Sequence, residues 1–117
     1  ISACFFHGAN LSQSNFHLAS LDKTNFSLAN MANCSLIQVS AAGSHFERAN
    51  LLDATFLSSK MVGAIFRNAS LTGTCFDDCD LTHSDFSKAK AARLPTFINA
   101  NLSKALLPLA MLRKGSM

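Results

Sequence analysis

The chain has no tryptophan and no tyrosine. Phe carries the aromatic content, and nine of its ten residues occupy the central position of a repeat, Phe5 being the exception. Few rings are left over for a ligand or base-stacking platform. No run of eighteen apolar residues occurs, so the sequence offers no membrane-spanning helix. Gly-rich phosphate loops, a nucleophile elbow and paired-cysteine metal motifs are missing as well, which removes the usual signatures of those chemistries. The chain begins at Ile1 with neither an initiator Met nor a signal-peptide pattern, and is therefore expected to be a fragment or a processed product, working in the cytoplasm. Acids are missing from one end. Residues 88–117 hold Lys88, Lys90, Arg93, Lys104, Arg113 and Lys114 and no acid, whereas residues 1–87 hold all seven acids against Lys23, Arg48, Lys60 and Arg67. The overall charge of +3 thus joins a mildly acidic body to a basic tail.

What is present is a period of five. Large apolar residues return at Phe6, Leu11, Phe16, Leu21, Phe26, Met31 and Leu36, and onward without a break in phase to Phe86. Two residues before each stands a short one, such as Cys4, Ala9, Ser14 and Ala19. Helices need apolar spacings of three and four and half-buried strands a spacing of two, so five fits neither. It marks an internal repeat. Phe itself returns every ten residues. Four five-residue segments per turn would stack residues twenty apart, placing Phe6, Phe26, Phe46, Phe66 and Phe86 in one column and Phe16, Leu36, Phe56 and Phe76 in the facing one. The two intervening sides would carry Leu11, Met31, Leu51, Leu71 and Leu21, Ala41, Met61, Leu81. Dense packing in a narrow tube explains the short partner residues, and the exchange of volume between Ala41 and Val39. After Phe86 the phase slips by one, to Phe97, Leu102, Leu107 and Leu112, so a bulge is expected within residues 87–96.

Segments such as "ANLSQ", "SNFHL", "ASLDK", "TNFSL", "ANLLD" and "CDLTH" resemble pentapeptide repeats, a small residue, Asp or Asn, Leu or Phe and two polar residues. Asn or Asp precedes the central residue at positions 10, 15, 25, 30, 50, 80, 85 and 101. The resemblance implies an all-β solenoid, a right-handed quadrilateral β-helix of about five coils. Residues 1–105 are expected to form it and residues 106–117 a C-terminal cap and basic tail. Pro108, then Arg113, Lys114 and Gly115, give the start-and-stop pattern of a short helix over 108–114.

Candidate chemistry is sparse. His7, His17, His45 and His83 fall on different sides and turns and read as exposed polar residues. Cys4, Cys34 and Cys79 take the inward slot as compact hydrophobes. Cys75 stands four residues before Cys79, without the second pair that zinc requires. No catalytic, cofactor-binding or metal residue is assigned, and no cofactor is expected. Asp77, Asp78, Asp80 and Asp85 form the one acidic cluster, a candidate partner-binding edge. Leu106, Leu107, Leu109, Met111 and Leu112 are candidate cap or homodimer contacts, because "LLPLAML" is apolar even where a coil would face water. The expected function is a non-catalytic scaffold or binding module for a protein partner. The resemblance adds two alternatives: protection of DNA gyrase from quinolones by DNA mimicry, and a targeting or structural domain of a larger bacterial effector or enzyme. Six tail bases without interleaved aromatics weigh against direct nucleic-acid binding.

Overall fold

Each five-residue segment makes one side of a square coil, and a left-handed residue makes each corner. The structure, a computed structural model, describes residues 4–112, with side chains as far as Met111. Two positions after the central residue, φ lies between 55° and 72° at nineteen residues, from Gly8, Gln13 and Leu18 on to Asn99 and Lys104. The next N–H then donates back to the central carbonyl, as Ala49 does to Phe46 at 3.1 Å. This is a turn with a left-handed third residue, the geometry of type II. Four of the corners are Gly8, Gly43, Gly63 and Gly73.

Successive coils are joined by parallel bridges between residues twenty apart, Phe5 to Asn25 through Ser70 to Lys90. The central N–H donates to the coil ahead (Phe46 to Ile65 O, 2.7 Å), and the N–H before it in sequence donates to the coil behind, as Asn50 does to Ala29 O at 2.9 Å. Among the described residues these are isolated bridges, not strands. A side only five residues long, with a turn at its end, leaves room for one bridged residue. From Cys75 to Thr96 onward the offset becomes twenty-one, and the extra residue lies beside Arg93, whose carbonyl accepts from Gly73 N–H.

The core is a pair of Phe columns. Phe26, Phe46, Phe66 and Phe86 are fully buried, with successive rings stacked 5.0, 4.9 and 4.7 Å apart. Phe56, Phe76 and Phe97 form the facing column, 5.2 and 5.3 Å apart. Between columns the rings meet edge to face, as for Phe46 and Phe56 at 5.5 Å and 87°, an arrangement that their quadrupoles favour. Five hydroxyls and thiols in the inward short slot donate to the central carbonyl of the coil below, Ser44 to Leu21, Ser59 to Leu36, Thr74 to Leu51, Cys34 to Leu11 and Cys79 to Phe56, whereas the buried hydroxyls of Thr24 and Ser84 have no partner.

The described chain ends in a 3-10 helix, Leu109–Leu112. It starts one residue later than the sequence pattern predicts and is wound more tightly, Met111 N–H donating to Pro108 O. Residues 113–114 of the expected helix, and the side chain of Leu112, lie outside the described residues. Met111 is buried, whereas Leu106 and Leu109 are exposed and Leu107 is partly buried.

Candidate functional site

The four walls of the coil differ in chemistry. Outward positions flanking the Phe6 column, the first wall, carry His45, Glu47, Arg67 and Asp85. The fourth wall, flanking Leu21, carries Asp22, Lys60 and Asp80. On the second and third walls, flanking Leu11 and Phe16, the only charged residues at those positions are Lys90 and Asp77, respectively.

The acidic cluster is divided among structural tasks. Asp85 is buried on the first wall and bound by Arg67 at 2.6 Å. Burial would raise its carboxyl, but bonds from Ser87 and Arg67 outweigh that and hold it below the ordinary value. Asp80 accepts from the Thr82 N–H and hydroxyl, at 3.1 and 2.6 Å. Asp77 accepts the Ile98 N–H at 2.9 Å. Asp78 is exposed at a left-handed corner. Three of the four carboxylates therefore already take up backbone donors, and the cluster faces four directions: the third wall, its corner with the fourth, the fourth wall and the first wall.

The eight Asn and Asp residues preceding a central residue share that task. Asn10, Asn15, Asn25, Asn30, Asn50, Asp80, Asp85 and Asn101 each accept the N–H two residues on. Each is an Asx turn, which satisfies a donor that the square coil leaves over. At three positions that hold another residue the coil below supplies the acceptor: Asp22 accepts from Ala42, Thr72 from Ala92 and Asp77 from Ile98. Sequence reasoning noted this phase of Asn and Asp without its cause, and it missed the left-handed corner altogether. The signal was there, since four of the five glycines share the corner phase.

A second feature that sequence reasoning missed is the clasp at the phase slip. Arg93 reaches back forty residues to Asp53, 3.1 Å away. It crosses Gly73, where any Cβ would collide with both the Asp53 carboxylate and the Arg93 guanidinium. Gly73 also has a φ of +70°, so its lack of a side chain serves twice.

His7, His17 and His83 are exposed, and His45 lies 3.1 Å from Glu47. Among the described residues no three His, Cys, Asp or Glu side chains gather to hold a metal. Cys34 and Cys79 are buried free thiols, and Cys75 is a partly buried one on the third wall. Burial pushes the Cys34 thiol up, and that of Cys79 to about 12. An open groove of about 530 Å³ lies at the C-terminal end between Lys88 and Leu106. No described helix is long and apolar enough to cross a membrane.

Residues 29–107 match the family described as pentapeptide repeat region, and residues 2–36 match pentapeptide repeats in eight copies. Among solved structures, the chain is similar to trypsin-treated QnrB1, a plasmid-mediated fluoroquinolone resistance protein. That pair is 26% identical with a TM-score of 0.77, covering 89% of this chain and 56% of that one. It is also similar to a pentapeptide repeat protein from the Arabidopsis thaliana thylakoid lumen (20% identity, TM-score 0.60, covering 92% and 71%). HetL of Nostoc sp. strain PCC 7120, involved in heterocyst differentiation regulation, gives 21%, 0.58, 91% and 51%. The chain thus spans little more than half of the trypsin-treated QnrB1 structure. No curated protein sequence matches it.

Proposed function

From its membership of the pentapeptide-repeat family, to which this chain belongs, we propose that it is a non-catalytic scaffold that binds a protein partner along its walls. One observation carries this reading. The side chains capable of chemistry are largely consumed by the coil, as buried thiols, carbonyl-bound hydroxyls and Asx turns, and what remains outward is a regular rod 35 × 23 × 19 Å. Solenoids use such walls for macromolecular recognition. The finer architecture belongs to the same reading: about five coils, wound right-handed, with the Leu109–Leu112 turn as a cap. Free thiols suit a reducing compartment, in keeping with a cytoplasmic site of action. The test is affinity capture with mass spectrometry, followed by calorimetry on the partner recovered. Replacing Asp77 and Asp78 by Asn should weaken binding while circular dichroism stays unchanged. Unchanged affinity would remove the acidic edge from the reading, and failure to retain any specific partner would sink the scaffold.

The likeness to QnrB1 favours a second reading, protection of DNA gyrase from quinolones. Charge counts against its DNA-mimic form, because Asp85 and Asp53 are neutralised by Arg67 and Arg93. A gyrase supercoiling assay with and without quinolone decides it, and no protection at micromolar protein removes it.

A further inference from the structure

We propose that the third wall is where a second copy of this chain docks, side by side and wall to wall. This goes beyond the scaffold reading and can fail without it.

Chemistry comes first. The outward row of the third wall runs His17, Ile37, Leu57, Asp77 and Ile98, with Ile37 and Leu57 partly buried, and the adjoining corner carries Leu18 and Asp78. Ile98 is 60% exposed and Leu18 68% exposed. The one charge in the row, Asp77, is bound to the Ile98 N–H. Depletion of charge is what distinguishes the centre of a protein interface from the remaining surface. The first and fourth walls carry charged residues, and the second, although equally poor in charge, presents a largely polar set, Asn10, Asn30, Asn50, Ser70 and Thr72.

Shape selects the occupant. Adjacent strands in ordinary sheets are rotated by roughly 20–25°. Here the stacked rings of successive coils lie within 5–8° of parallel. The walls are therefore nearly flat, with ridges at the coil spacing. A partner of different repeat would lose step after one or two ridges. A second copy has the same spacing, so ridges of one can lie in the furrows of the other, as identical flat β-faces do when they interdigitate. Size permits it. A wall of 35 × 19 Å offers roughly 650 Å² per partner, or about 1,300 Å² in all, just above the about 1,200 Å² at which specific interfaces begin. The end of the rod, 23 × 19 Å, offers only about 900 Å² in all, below that floor.

Sedimentation equilibrium from low to high micromolar protein tests the proposal. The native chain should dimerise, and Ile98→Lys should raise Kd by about tenfold or more with an unchanged melting curve. Leu109→Lys, at the exposed C-terminal end, should leave Kd alone. Cys75 supplies an independent readout, because it lies on the same wall while Cys34 and Cys79 are buried. In a Cys4→Ser background a short bis-maleimide should join two chains through Cys75, and the product should vanish on Cys75→Ser. A native monomer at high micromolar concentration overturns the proposal. So does a dimer abolished by Leu109→Lys but indifferent to Ile98→Lys, which would place the contact at the C-terminal end.

Discussion

Cys79 occupies the inward slot that elsewhere before the phase slip holds Ala, Ser, Thr, Val39 or another Cys, and its thiol donates to the Phe56 carbonyl. Burial raises its pKa from 9.0 to about 12, opposed in part by a backbone hydrogen bond from the coil below. The sign of the consequence follows from linkage. In the unfolded chain the thiol loses its proton above 9.0, whereas in the coil it keeps it until about 12. The unfolded state therefore binds fewer protons in that window, and stability falls as pH rises through it. The expected slope is roughly 1.4 kcal/mol per pH unit for this group. Urea titrations of the native chain and Cys79→Ala at several alkaline pH values isolate it. With no tyrosine to titrate nearby, parallel pH dependences in the two proteins would show that the thiol ionises freely in the fold.

At the scale of one side of the coil, the Asx turn sets geometry and cost together. Asn25 Oδ1 accepts the Ser27 N–H at 2.9 Å and its hydroxyl at 2.6 Å. Losing both in Asn25→Ala should cost about 1–2 kcal/mol, while Asn25→Asp should cost less, because a carboxylate keeps the acceptor. Equal losses in the two variants, measured by urea unfolding, would show that the turn is held by the backbone alone. This is also where sequence reading reached its limit. The five-residue phase made the Phe columns legible, since burial selects strongly for volume, and Phe46 and Phe66 are indeed buried and stacked. The corners were harder. A left-handed residue costs an ordinary side chain about 1–2 kcal/mol, yet Leu18, Lys23, Gln38 and Arg48 adopt it, so composition at that phase is mixed and the four glycines are easily passed over. The spread of the acidic cluster was hidden for a related reason: chain proximity does not carry across a corner, and Asp77 and Asp85 end on different walls.

For the whole molecule the question is how a column of rings ends. Within the rod Phe26, Phe46, Phe66 and Phe76 are covered by the coil above and below, but the last coil has no successor. Ala100, Leu102 and Leu107 are only partly buried, whereas Met111, in a four-residue turn, is 1% exposed. A residue so short of secondary structure can be buried that fully only by lying against the core, and an uncovered end would expose apolar surface and unpaired backbone groups together. Leu109, in the same turn, is 86% exposed and serves as the internal control. We expect Met111→Ala to cost about 2–5 kcal/mol, and Leu109→Ala to change stability by no more than about 0.5 kcal/mol. Thermal and urea unfolding of both variants measure the difference. If the turn closes the end of the rod, loss of Met111 should also loosen the last coil first, seen as faster amide exchange at Asn101 and Leu106 than at Phe46 or Phe66. Two variants equally harmless would mean that the turn rests on the rod without closing it.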